Sequence, residues 1–195
     1  TYNCIVVDGD TSTNDTVLLL ANGASGIGLE TEEDRQNFEM GLSEVCRKLA
    51  QDVVYDGEGV TKFITVRVTG APDDESARDI ANTIAISPLV KTAFFGNDAN
   101  WGRIMMAAGR AGVPLVQERL NLWFAPGEVY QVTSDALQLV AGGTPTGFDE
   151  TKSTAIVKNA KVTVLLDCGI GDGAATIWTC DLSHDYVSIN GDYRS

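Results

Sequence analysis

The chain has 195 residues, 44% of them hydrophobic, enough to bury one large core or two small ones. Its 14 basic and 27 acidic side chains leave a formal charge of -13, and the basic residues form no stripe, which argues against a nucleic-acid partner. No run of roughly 20 apolar residues is present to cross a bilayer as a helix.

The start, Thr1-Tyr2-Asn3-Cys4, has neither the basic nor the apolar region of a secretory signal. The expected location is the cytoplasm, or an organelle where a transit segment precedes the sequence. Cys4, Cys46, Cys168 and Cys180 include no C-x-x-C pair, and His184 is the single histidine, so reduced thiols are expected and a zinc site is not.

Residues 2–7 read as a strand and residues 16–21, Thr-Val-Leu-Leu-Leu-Ala, as a second strand apolar on both faces. The polar stretch VDGDTSTNDT, residues 7–16, connects them. From Thr31 the pattern turns helical: Thr31 and Asp34 resemble a capping box, and Phe38, Leu42, Val45, Leu49 and Val53 recur on one face. The glycines of Asp56-Gly57-Glu58-Gly59 end this helix near Tyr55.

Residues 63–68 alternate as a half-buried strand. Pro72-Asp73-Asp74 opens a helix carrying Ala77, Ile80, Ala81 and Ile84. Pro88 disfavours helical geometry at Ser87, where a boundary is placed between segments 1–86 and 87–195. Beyond it the pattern predicts a short, buried helix over 104–110. Strands are expected at 120–124, 127–132, 161–166, 175–180 and 186–189, with a surface loop at 141–147.

Four stretches invite a chemical reading. Asp8-Gly9-Asp10 after an apolar run is similar to the D-x-D opening of haloacid-dehalogenase-like phosphatases. The distal Gly171-Asp172-Gly173, however, lacks the second acidic residue, and the next strand follows too soon. Asp, Ser, Thr and Asn in such a loop otherwise bond nearby backbone. Glu58 between two glycines can accept from a substrate ammonium, or be a solvated carboxylate beside a helix C-cap. Asn97-Asp98-Ala99-Asn100-Trp101-Gly102-Arg103 crowds polar groups around one Trp, and Asp192-Tyr193-Arg194-Ser195 ends the chain with side chains suited to binding. Ser183-His184-Asp185 reads as a surface turn.

Taken in order, VDGDTSTNDT, DGEGVTK (56–62), SPLVKTA (87–93), GNDANWGR (96–103) and the closing NGDYRS (190–195) resemble the β chain of the ornithine acetyltransferase family, the bifunctional glutamate N-acetyltransferases of arginine biosynthesis. The resemblance covers essentially the whole chain. It implies an α/β fold of mixed sheets covered by helices, an αββα sandwich like that of self-processing aminopeptidase-like enzymes, with a smaller C-terminal α+β domain whose tail returns to the active site. The reaction it implies is ping-pong acetyl transfer from N-acetylornithine to glutamate through an acetyl-threonine, without metal or organic cofactor. Some members also accept acetyl-CoA, and no residue here decides between donors.

The family's precursor cuts itself before its nucleophilic Thr, and the α chain it releases is the expected partner in an α2β2 assembly that contributes the oxyanion hole. Thr1 is followed by Tyr-Asn, which matches a later point of the family pattern. The nucleophile is therefore expected upstream, no catalytic residue is assigned within this chain, and the chain alone is expected to be inactive. By the same resemblance Glu58, Asn190 and Ser195 contact substrate, Ser195 standing where a Thr is commoner. The alternatives are an amidase or aminopeptidase on the same scaffold, or a non-catalytic binding fragment.

Overall fold

The computed structural model describes residues 1–193, so Ser195 lies outside the described residues. One six-stranded mixed sheet organises them, in the order β4-β3-β2-β5-β1-β6. The strands are β1 (Phe63–Ala71), β2 (Asn121–Pro126), β3 (Leu137–Ala141), β4 (Thr144–Pro145), β5 (Lys161–Asp167) and β6 (Gly173–Cys180). β1 runs parallel to β5, and every other neighbouring pair is antiparallel. Helices α1 (Glu32–Tyr55), α2 (Asp74–Ala85), α3 (Pro88–Phe95), α4 (Trp101–Gly109), α5 (Glu150–Val157) and α6 (His184–Asp192) complete the fold. The sheet crosses the boundary expected at 86/87: β1, from the first segment, pairs with β5 and β6 from the second.

The core lies on one face of the sheet. Ile64, Val66 and Val68 of β1 and Val162, Val164 and Leu166 of β5 point to it by the period-two rule, and meet Ala77, Ile80, Ala81 and Ile84 of α2. Each such Ile or Leu removed from water stabilises the fold by about 2 kcal/mol. Phe94 of α3 stacks on Phe124 of β2, ring centroids 5.6 Å apart, and ties the later helices to the same core. On the opposite face Phe63 stacks on Tyr55 from the end of α1, centroids 4.4 Å apart, beside Trp178 and Val54.

Local chemistry explains the helix starts. The capping box of α1 is closed in both directions: the Thr31 hydroxyl accepts from the Asp34 N–H and the Asp34 carboxylate from the Thr31 N–H, each at 3.0 Å. The Thr31 hydroxyl, which also donates to that carboxylate at 2.7 Å, and then the Thr31 N–H hold the Asp34 carboxyl below its ordinary pKa. Asp73 caps α2, Ser87 caps α3 with Pro88 in the first turn, and Asn100 caps α4. Pro88 thus marks a helix start as well as the end of α2. α4 begins at Trp101, three residues earlier than the pattern predicts, and Met106 is exposed, so it is not buried all round.

Other expectations are corrected. Residues 2–7 form a short 3-10 helix, Tyr2–Cys4, and a single bridge from Ile5 to Trp178 instead of a strand. Residues 16–21 are in no strand and pair with none of the six, and Leu20 is 91% exposed. α1 keeps the expected stripe, yet Phe38, Val45, Leu49 and Val53 on it are exposed, and the residues it buries are Ala50, Gln51 and Val54. Residues 127–132 are in no strand; residues 137–141 and 144–145 form the β3–β4 hairpin across the glycine pair Gly142-Gly143, so that the end of β3, the glycines and β4 occupy the loop expected at 141–147. Residues 186–189 belong to α6, capped by Ser183, and form no strand. The described residues form one sheet, so the second sheet of a sandwich is not among them.

Candidate functional site

Three segments far apart in sequence meet beyond the C-terminal end of β6: the loop after Val7, the loop after α1, and the start of α6. The buried Asp181 fixes the second of these. Its carboxylate accepts from the backbone N–H groups of Thr61 and Lys62, both at 2.9 Å, and from the Thr61 hydroxyl. A carboxylate engaged by three donors is a bracket, and it holds DGEGVTK to the strand end.

Gly59 shows how closely the second and third segments approach. It sits at φ +67°, and a Cβ there would lie 2.6 Å from both the Ser183 Oγ and the Tyr186 N. Only glycine fits that backbone and that contact. Ser183 then does two things: its hydroxyl donates to the Gly59 carbonyl at 2.6 Å and accepts from the Tyr186 N–H at 3.3 Å as the cap of α6. The loop carrying Glu58 and the first turn of α6 are therefore one unit, with the exposed Glu58 carboxylate on its surface.

The first segment joins through Asp8. One carboxylate oxygen accepts from the Asp10 N–H at 2.9 Å, closing an Asx-type turn, and the other accepts from the Tyr186 hydroxyl at 3.0 Å. Val6 and Val7 anchor the loop's entry: the Val6 N–H donates to the Trp178 carbonyl at 2.9 Å, and the Cys180 thiol donates to the Val7 carbonyl at 3.6 Å. Burial pushes the Tyr186 phenol up to about 12, Asp8 adds to the shift, and the charges of Asp10 and Glu58 contribute. The phenol therefore stays protonated at neutral pH and acts as the donor to Asp8. The rest of VDGDTSTNDT is exposed and folds on itself, with Ser12 Oγ accepting from the Asn14 and Asp15 N–H groups. Among the described residues no group of three or more His, Cys, Asp and Glu side chains stands close enough to hold a metal ion.

Beneath the loops lies Lys91, only 3% exposed. Its ammonium donates to the Cys180 carbonyl at 2.5 Å and the Thr179 hydroxyl at 3.0 Å. Burial pulls its pKa below the ordinary lysine value, and the Cys180 thiol, Asp181 and Asp8 partly offset this. Burial of Cys180 pushes that thiol up. Lys91 is thus the residue of SPLVKTA whose side chain reaches the C-terminal end of β6.

Of the expected site residues, Glu58 is exposed in the loop that Gly59 packs against the first turn of α6. Asn190 is exposed one helical turn beyond Tyr186, its amide donating to the Tyr186 carbonyl at 3.0 Å. Ser195 is outside the described residues. The GNDANWGR loop is occupied with structure. Asn97 takes the left-handed turn at φ 56°, the Asp98 N–H donates to the Ala93 carbonyl, and Arg103 donates to the Leu89 carbonyl at 2.7 Å. His184 opens α6 with its ring edge-on to Phe95. Sequence reasoning misses Tyr186, Asp181 and Lys91. The pairing of Tyr186 with Asp8 spans 178 positions, and no local pattern signals it.

A family model described as the ArgJ family matches residues 1–195. "Arginine biosynthesis bifunctional protein ArgJ" of Caulobacter vibrioides is 49% identical over 198 residues, covering 100% of this chain and 47% of that protein. The protein of the same name from Zymomonas mobilis is 46% identical, and a mitochondrial ArgJ of Verticillium alfalfae 45%, each covering all of this chain and 46% and 44% of the relative. The crystal structure of Arginine biosynthesis bifunctional protein argJ from Bacillus halodurans superposes with a TM-score of 0.89 at 41% identity, over 99% of this chain and 87% of that one. The chain spans about half the length of the curated relatives it matches. It has the mixed α/β fold of these proteins and belongs to the ArgJ family.

Proposed function

We propose that this chain is the substrate-holding part of an enzyme that moves an acetyl group from N-acetylornithine to glutamate. The attacking threonine comes from the half of the protein beyond these residues. The observation that carries the reading is the meeting at one end of the sheet of the loop that begins at Asp8, the loop that carries Glu58 and the first turn of α6, in a chain matched throughout by bifunctional arginine-biosynthesis proteins. Acceptors gathered there suit the free ammonium of N-acetylornithine.

In the proposed sequence the threonine hydroxyl attacks the acetyl carbonyl, the amide C–N bond breaks, and ornithine leaves with the proton. The glutamate amine then attacks the acetyl ester, the C–O bond breaks, and the hydroxyl is regenerated. Glu58 and Asn190 hold the amino-acid portion, with Ser195 as a third contact. Donors from the companion α chain stabilise each oxyanion.

The uncovered apolar surface supports that partner. Val17, Leu18, Leu19 and Leu20 are exposed in sequence with the α1 stripe, and an open groove of about 670 Å³ runs between Tyr2, Val17, Leu49 and Val53. Such a patch is a binding surface for more protein. An α chain seated there, in an α2β2 assembly, would give residues 16–21 the strand partner they lack.

The test is to incubate the full-length protein with N-acetylornithine and glutamate. Acetylglutamate formation, with about a hundredfold loss of kcat/KM in E58A, is the expected result. Free acetate without acetylglutamate would replace the transferase with an amidase. Binding without turnover would leave a binding module.

A further inference from the structure

We infer that Tyr186 and Asp8 form a positioning pair that sets the site for the cationic amino-acid substrate. The inference rests on the acetyl-transfer reading and adds to it a hydrogen bond that links the tail helix to the opening loop.

The geometry leaves each member little freedom. Tyr186 is half-buried in the first turn of α6, its N–H held by Ser183 and its neighbourhood closed by Gly59. Its hydroxyl reaches one oxygen of Asp8, whose other oxygen is taken up by the Asp10 N–H. Asp8 therefore cannot turn toward a ligand without losing a bond, and the loop it begins is pinned to α6.

One turn on, Asn190 gives its amide N–H to the Tyr186 carbonyl, and its own side-chain oxygen is an acceptor with no donor among the described residues. The exposed groups on either side of Tyr186 in this unit, Glu58 and the Asn190 oxygen, are acceptors, which suit an ammonium and not the side-chain carboxylate of glutamate. The pair should therefore matter more to the donor substrate, which carries a side-chain ammonium, than to the acceptor.

Tyr186→Phe keeps the ring and removes the bond to Asp8. In the full-length enzyme it should raise KM for N-acetylornithine about tenfold, the size expected for a hydrogen bond to a charged group. KM for glutamate and kcat should stay within about threefold, with an unchanged melting temperature. Asp8→Ala should reproduce that change, Asp8→Asn, which keeps an acceptor oxygen, should restore most of it, and the double variant Y186F/D8A should be no worse than either single one. Equal KM values for Tyr186→Phe and wild type, or a lower melting temperature with both KM values unchanged, would leave the pair a purely structural contact and overturn the inference. A wild-type protein that makes no acetylglutamate would instead overturn the acetyl-transfer reading beneath it.

Discussion

Two regions of this molecule carry equally clear hydrophobic patterns and meet opposite fates. In β1 and α2 the apolar positions are all buried, Ile80 and Ile84 fully so, because β5, β6 and α4 close over them. In residues 16–21 and along α1 the pattern is as regular, and most of it faces solvent. Periodicity tells which face of an element needs covering. It does not tell whether the cover lies in the same stretch of chain.

The sharpest way to break this contrast is a pair of truncations. Phe94→Ala removes a ring 1% exposed and stacked on Phe124, and should destabilise the chain by about 3–5 kcal/mol in urea titrations. Leu20→Ala, at a 91% exposed position, should change the isolated chain by no more than about 0.5 kcal/mol. In the full-length protein Leu20→Ala should cost about 2 kcal/mol or more, if the other half covers it. Equal small effects in both contexts would mean that residues 16–21 never become a strand.

Alkaline pH probes the covered region through one thiol. Cys168 is fully buried beside Asp167, and burial pushes its thiol from 9.0 up to about 11. A raised thiol pKa means that the folded state holds its proton longer than the unfolded chain. The stabilising contribution is whole below pH 9 and is lost as pH rises toward 11. The loss is about 2–3 kcal/mol across that window. Lys91 works the other way, because its lowered pKa makes stability rise with pH up to 10.5. Comparing Cys168→Ala with wild type isolates the thiol, and the variant's stability should fall less between pH 9 and 11. Parallel curves would show that Cys168 is reached by water in the folded state.

Much of the fold is legible residue by residue. Thr31 and Asp34 announce α1, the alternation of Ile64, Val66 and Val68 announces β1, and the glycines after Tyr55 announce the exit. α6 reads as a strand because Tyr186, Val187 and Ile189 have β propensity, whereas the Ser183 cap and the docking of Gly59 decide for helix. Glu58 and Asn190 stand out through motifs that resemble a family. Tyr186, Asp181 and Lys91 do not, since their partners sit 178, 120 and 89 positions away. Long-range polar pairs leave no periodic trace, and a strand whose partner belongs to other residues cannot show its pairing in its own sequence.

The smallest effect separates the two regions within one helix. Thr31→Ala breaks the capping box of α1 and should cost about 1 kcal/mol locally. The first turns of α1 bury nothing; its buried residues, Ala50, Gln51 and Val54, lie near the other end. Amide hydrogen exchange should therefore speed up by about fivefold at residues 34–38, while the urea midpoint of the isolated chain stays put, because the N-terminal turns can open without disturbing the sheet. A midpoint shifted by the full amount would show that the Phe38 end of α1 is packed in solution, and the exposed stripe would then be a covered face after all.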